Sequence, residues 1–367
     1  MRGVNQIDIV DAAHPISVEL EERVVAVDPV TDSRWAKFVF QDRNSSIFHR
    51  PEWLKSLRDT YGYPCLAFAL SNAKEITDAL VFCEVRSWIT GSRLVSLPFS
   101  DHCQPLAESG KIEVILDFVR DYAKNSRTRY VEIRPLSADN WRNSRGFGIA
   151  DTYGFHYIDL RPDLQEIFRR FHESCIRRKI KKAEREDLSL EQGNSEALLR
   201  KFRHLLLLTR RRHRLPPQPA AWFENLAKNF GDDLTIHVLS KDSRPIASIL
   251  TLSHKECLTY KYGCSDAEFH NLGGMPLLFW KVIQHAKEQG FTNLDLGRSS
   301  AEDPGLVAFK SHLGGIHSEL RYYRSPAPII ENGSVGSSFK RYAQAAVAHL
   351  PEPLLVGAGN FIYRHLG

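Results

Sequence analysis

Residues 51–60 put Trp53, Leu54 and Leu57 on one helical face and run into Gly62, which predicts a helix with a glycine stop. Apolar runs at 65–70 and 79–85 flank the polar stretch Ser71-Asn72-Ala73-Lys74, a hairpin signal. A third apolar run at 94–99 leads into a loop over 100–110, a helical period over 112–124 and a short strand at 130–133. The same order returns further on. A helix is expected at 221–229, strands at 234–239, 246–253 and 257–263, a loop at 264–274, a helix at 275–289 and a strand at 293–296.

The two series share residues as well as order. Trp53, Leu57, Gly62, Leu70 and Ser71 match Trp222, Leu226, Gly231, Leu239 and Ser240, all 169 positions apart. Ser100-Asp101 returns as Ser265-Asp266 at an offset of 165, and Val131-Glu132-Ile133 as Leu294-Asp295-Leu296 at 163. Gly154-Phe155-His156 and Gly315-Ile316-His317, 161 apart, are expected to begin a closing strand in each copy. A shrinking offset is what loop deletions leave in a duplicated domain, and so long a period means two copies of a whole domain rather than a solenoid. The expected division is a first unit over 20–160, a second over 161–326, and a linker with an amphipathic, apolar tail over 327–367.

Between the copies, Leu164, Ile167, Phe168, Phe171, Ile176, Ile180 and Ala183 form a helical stripe over 164–187. Past Pro326 come a Gly/Ser linker at 331–338, a short amphipathic helix and a Pro-broken apolar tail at 350–367.

A chain of 367 residues, 43% apolar and 25% charged, has the size and composition of two globular domains. Residues 1–10 lack the apolar core of a secretory signal, and no 18-residue apolar run is present to span a bilayer. Six scattered cysteines, without close pairs or metal-ligand spacing, suit a reducing cytoplasm. The net charge of +5 is unevenly spread. Residues 161–214 hold 16 Lys or Arg against 8 Asp or Glu, leaving −3 for the remainder.

Several segments carry a family resemblance: Ile47-Phe48-His49-Arg50-Pro51-Glu52-Trp53, Leu97-Pro98-Phe99-Ser100-Asp101, Lys179-Ile180-Lys181-Lys182-Ala183-Glu184, residues 260–266 and 294–299, and Phe309-Lys310. With the order of elements they resemble the GNAT N-acyltransferase fold, and two such units in one chain resemble the Fem family of bacterial aminoacyl transferases over residues 20–326. The tail resembles that of Fem-like proteins from exopolysaccharide and exosortase gene clusters. The fold class implied is α/β (α+β): two tandem GNAT-like units, each a mixed, mostly antiparallel sheet flanked by helices, and a helical tail. The activity implied is N-acyl transfer to an amine of a cell-wall or exopolysaccharide precursor, with no tightly bound cofactor and with aminoacyl-tRNA or acyl-CoA as donor.

Acyl transfer needs a deprotonated amine, an oriented carbonyl and positive charge where the oxyanion forms. The resemblance assigns the last role to Lys310, with Phe309 beside it at the donor and acceptor junction, and the amine-holding role to Asp101. Tyr260 and Tyr262, two apart in a strand, are expected on one face, lining a cleft with Arg298. An arginine directly after a strand-end glycine is poorly explained by packing. Asp266 reads as turn chemistry, and His49 and His102 as ordinary hydrogen-bonding residues. Residues 269–274, before a helix, stand where a pyrophosphate would be cradled. From His270 the glycine spacing gives Gly273 and then Met275, a poor match for coenzyme A.

The run Arg210-Arg211-Arg212-His213-Arg214 is self-repelling unless an anion is near, which makes Arg211 an expected anion contact, for a tRNA end, a lipid pyrophosphate or anionic headgroups. Fem ligases with a long helical hairpin arm insert it in this region, and the chain has no room for one. Fifteen histidines show no pair four apart on a helix beside a third ligand, so no metal is expected. Three readings stay open: the Fem-type transferase, an acyl-CoA or acyl-carrier-protein dependent enzyme acting on an amino sugar, and a non-catalytic membrane-proximal assembly protein. The expected place is the cytoplasm, with peripheral contact at the inner membrane face through the tail.

Overall fold

The computed structural model describes residues 22–72, 74–137, 146–328 and 351–366. The linker at 331–338 and the amphipathic helix expected after it lie outside the described residues.

The first copy runs β1 (Arg23–Val27), α1 (Ser33–Gln41), α2 (Pro51–Tyr61), β2 (Cys65–Ser71), β3 (Ile76–Ser87), β4 (Gly91–Val95), α3 (Ser109–Asn125), β5 (Tyr130–Ile133) and β6 (Gly148–Asp159). The second runs α4 (Leu164–Arg170), a π-helical turn, α5 (Arg178–Ala183), β7 (Leu188–Gly193), α6 (Glu196–Arg212) and α7 (Ala220–Phe230). It continues with β8 (Leu234–Lys241), β9 (Arg244–His254), β10 (Cys257–Ser265), α8 (Gly274–Glu288), β11 (Asn293–Ser299), α9 (Pro304–His312) and β12 (Ile316–Ser325). A last helix, α10 (Glu352–Leu366), follows. The tail expected to be broken by proline is thus one helix, because Pro353 falls in the first turn, where the missing N–H costs nothing. The stripe over 164–187 is interrupted: Phe171 turns the chain out of α4, and His172 caps the π-helical turn by accepting from the Cys175 amide. Its apolar positions Ile167, Phe171, Ile176, Ile180 and Ala183 are buried as the periodicity requires.

All twelve strands form one sheet in the order β1-β2-β3-β4-β5-β12-β6-β11-β10-β9-β8-β7. The expectation that each copy closes with its own last strand is corrected by this order. β6 leaves the first copy and pairs with β11, while β12 leaves the second and pairs with β5. The two exchanged strands pair with each other along the middle of the sheet, and their register sets His156 against His317, the residues the repeat makes equivalent. Alternation decides which face a strand presents but not which edge it joins, so this exchange has no signature in the pattern.

The helices obey the same pseudo-twofold relation. Trp53 and Trp222, equivalent in the repeat and both buried, meet edge to face at 5.2 Å between α2 and α7. Beside them Ser56 Oγ donates to the carbonyl of its own counterpart in the repeat, Asn225, at 3.4 Å. One apolar core therefore runs across both halves on this side, uniting α1, α2, α6 and α7. On the opposite side each half keeps a separate core, beneath α3 in the first and beneath α4, α5 and α8 in the second.

Candidate functional site

In each half the outer antiparallel strands meet a parallel pair, β4–β5 in the first and β10–β11 in the second. Parallel neighbours joined through a helix splay at their carboxyl ends, which is where an α/β sheet admits a ligand. The two wedges have different fates. In the first half the segment after β4 fills the gap: the Cys103 amide donates to Arg134 O at 2.6 Å, and Leu106 bridges Ala79 in both directions. Among the described residues a void of about 10 Å³ is found there, too small for more than one water.

In the second half the carboxyl end of β10 opens onto a cleft of about 340 Å³, lined from β9, β10, α6, α8 and α9. Its inner wall is apolar, with Tyr260, Phe279, Leu306 and Phe309. Tyr260 stacks at a tilt on Phe279, which meets Phe309 edge-on. Its mouth carries Lys179, Arg212, His213 and His270 around the start of α8. That helix has Gly273 at its N-cap, in the left-handed region at φ 75°, and no side chain capping it. Burial and the neighbouring Arg212 hold His213 and His270 below the usual histidine value, so the positive charge of the mouth belongs to Arg212, Lys179 and the helix dipole. Arg211, the expected anion contact, is exposed and is not among the residues lining this cleft. The next residue, Arg212, is exposed as well but lies at the cleft mouth, where it donates to Ser265 O at 3.0 Å.

Tyr260 and Tyr262 do not share a face. A β-bulge at Lys261 shifts the β10 register between them. Tyr260 stays in the cleft, while Tyr262 passes through to the shared core, where its hydroxyl accepts from Trp222 Nε1 at 2.8 Å. The bulge also aims Lys261, which sequence reasoning missed because a strand lysine normally reads as a solvated edge residue. Its ammonium lies over the Phe48, Trp53 and Tyr262 rings and donates to Asp101 Oδ2 at 2.9 Å.

Asp101, from the first copy, therefore reaches the second. Arg298 Nε stands 3.8 Å from its other oxygen, with the guanidinium over the Tyr153 ring, and Tyr322 OH donates to the Asp101 carbonyl at 2.6 Å. Lys310, 2% exposed on α9, donates to Gly297 O at 3.0 Å and Arg298 O at 2.9 Å. Gly297 joins these groups. It has φ 71°, and a Cβ there would lie 3.0 Å from Asp101 Oδ2. The strand end is braced by Asp295, which accepts from the Gly297 amide at 2.6 Å and faces His102 Nε2 at 2.9 Å.

Burial by itself would raise the Asp101 carboxyl, but Lys261, Arg298 and Lys310 override it and hold it below the usual value. Asp101 is thus an anion engaged by cations of the protein, suited to keep Lys261 and Arg298 in place. Burial lowers Lys310 to about 8, against the pull of Asp101 and Asp295. That value makes Lys310 the group of the cluster poised to exchange a proton near neutrality.

The remaining expectations fall on structural roles. Asp266 caps the turn after β10 and pairs with Arg244. His49 bonds the Gln104 carbonyl at 2.8 Å, and burial holds it neutral, at about 3. Among the described residues, the fold gathers one group with metal-ligand chemistry, His172, Cys175 and His312, whose ligand atoms lie within 4.8 Å of one another. Arg177, Arg178 and Lys179 follow at once and work against a dication there.

Residues 170–311, which hold the open cleft, match the family model described as an acetyltransferase (GNAT) domain. No curated protein matches the chain. Among solved structures, FemX superposes with a TM-score of 0.65 at 14% identity, covering 78% of this chain and 94% of its own. A tandem GNAT protein from the clavulanic acid biosynthesis pathway gives 0.54 at 12% identity, covering 84% and 100%. L-PGS from Bacillus licheniformis gives 0.52 at 13%, covering 84% and 94%. At such identities the likeness is one of fold: the mixed α/β sheet with its flanking helices is a GNAT-like architecture, and the match to the GNAT acetyltransferase model falls in its second half.

Proposed function

We propose that the protein is an N-acyltransferase that takes its acyl donor in the cleft at the carboxyl end of β10 and delivers the acyl group to an amine entering beside Lys310 and Arg298. The observation that carries this reading is the asymmetry of the two halves: the wedge of the first is filled, and the second has an open cleft, apolar inside and cationic at its mouth. An anionic carrier would bind at Arg212, Lys179 and the first turn of α8, with its acyl end among Tyr260, Phe279 and Phe309. Lys310, next in sequence to Phe309, would offset the oxyanion as the carbonyl carbon becomes tetrahedral. Collapse of that intermediate expels the carrier's thiolate or ribose oxygen, and the amine's proton passes to solvent. Asp101 holds Lys261 and Arg298 in place, and Arg298, a third exposed, orients the acceptor.

The donor is an aminoacyl-tRNA or an acyl-CoA. The exposed basic run at the end of α6 supports the former, and the start of α8, which no side chain caps, supports the latter, since helix N-termini bind phosphate. The acceptor class, an amine on a cell-wall or exopolysaccharide precursor, rests on the resemblance to Fem enzymes.

Calorimetric titration with acetyl-CoA, and separately with an aminoacylated acceptor-stem RNA, tests the reading. One of the two is expected to bind the unaltered chain and to be lost on Phe309→Trp, which fills the cleft. Binding of neither, or binding indifferent to Phe309→Trp, would remove the proposal.

A further inference from the structure

Five large apolar side chains at one end of the first half lie open to solvent. Trp88 is 80% exposed and Ile89 50%, at the turn between β3 and β4, and α10 adds Leu354, Phe361 and Leu366, each more than half exposed. They form one surface, because Trp88 stands 6.2 Å from the Phe361 ring and 5.8 Å from that of His365. Leu354 and Phe361 are seven apart, two helical turns along one face.

The presentation is rigid. Ser87 Oγ accepts from both the Ile89 and Thr90 amides, at 3.1 and 3.0 Å, which fixes the turn so that its two apolar side chains project. The end of α10 is tied to the same turn: His365 O accepts from Thr90 Oγ1 at 3.2 Å and Arg93 at 2.8 Å, and Tyr63 OH donates to Tyr363 O and Arg364 O. Carbonyls left over at a helix terminus are thereby satisfied by the fold, and the helix needs no cover on its outer side to be held. Leu355 is 1% exposed, so α10 buries one stripe and leaves the other outside.

Exposed arginines edge this patch. Arg364 is exposed on α10, and Arg127 and Arg129 are exposed in the segment beside the hairpin, where the Arg129 amide donates to Ser92 O at 2.8 Å. Arg86 is exposed as well and shares its charge with the buried Glu84. An apolar face bearing tryptophan and edged by arginines is the chemistry of the membrane interface, where the ring sits at headgroup depth and guanidinium groups meet lipid phosphate. No helix among the described residues is long and apolar enough to cross a membrane, so contact of this kind would lie on the surface.

We propose that the Trp88–Thr90 turn and the outer face of α10 form a docking surface for an anionic lipid bilayer. The surface is separate from the cleft at the end of β10 and uses none of its residues, so it stands or falls independently of the acyl-transfer reading.

The test is co-sedimentation of the full chain with vesicles of equal parts phosphatidylglycerol and phosphatidylcholine, and with phosphatidylcholine alone. The anionic vesicles are expected to carry the protein down, with partitioning lowered about tenfold by raised salt, and about tenfold or more by W88S with F361S. Both side chains are outside the core, so the melting temperature of the variant should stay put. Replacing Arg129 and Arg364 by glutamate should erase the preference for the anionic vesicles. Protein left in the supernatant at low salt, or pelleting unchanged in W88S/F361S, overturns the proposal. So does a dimer in sedimentation that W88S/F361S dissociates while vesicles bind nothing, since the patch would then be covered by a second copy.

Discussion

Lys261 Nζ lies 2.9 Å from Asp101 Oδ2, an ion pair between the two copies that spans 160 residues of sequence. Both side chains are largely withdrawn from water, at 6% and 15% exposure. Removing one partner of such a pair strands the other's charge, at a cost of roughly 3–5 kcal/mol, whereas replacing both by apolar groups is far cheaper. Asp101→Asn and Lys261→Met should each destabilise strongly in urea unfolding, and the double variant should be more stable than the sum of the two predicts.

The pH dependence of that pair has a definite sign. The folded Asp101 carboxyl titrates below its unfolded value. Its stabilisation is therefore complete above the unfolded aspartate value of about 3.9 and is lost as pH falls through the lower folded one. Urea midpoints measured from pH 5 downward should fall less steeply in Asp101→Asn than in the unaltered chain.

Lys310, lowered to about 8 by burial, sets a second pH window. If its ammonium offsets the oxyanion, acyl transfer should fall as pH rises through about 8. Lys310→Ala should cost on the order of 10²–10³ in kcat and flatten that limb. A rate that climbs through the same window would assign Lys310 the opposite role, that of a base. Stability behaves inversely: the folded state favours the neutral amine, so burial of Lys310 costs stability below 8, and that cost fades as pH rises toward the unfolded lysine value of about 10.4.

Gly297→Ala should hurt in two ways. The residue sits at φ 71°, where a side chain costs about 1–2 kcal/mol. The new methyl would also press on Asp101, 3.0 Å away. A lowered melting temperature together with a loss of transfer exceeding that of a neutral surface variant would be the expected pair of observations.

The duplication was legible because Trp53, Gly62 and Ser100-Asp101 and their counterparts sit at nearly constant spacing, and the helices and strands were legible because amphipathic periods name a face. Asp101, Arg298 and Lys310, the residues singled out in the sequence, meet at Gly297. What stayed hidden depends on events that no period records. One bulge separates Tyr260 from Tyr262 and turns Lys261 inward, and the α6 rotation selects Arg212 over Arg211. The closing strands carry the right alternation for either half, so only three-dimensional packing chooses between partners.

The exchange of β6 and β12 has a consequence for biosynthesis. β5, an early strand, waits for a neighbour that ends at Ser325. While the ribosome is still extending the chain, the first half must hold an unpaired strand edge, the kind of surface on which nascent proteins stick to one another. Completion of this sheet therefore waits for its last strand, and a stop codon anywhere before β12 would leave both halves unfinished.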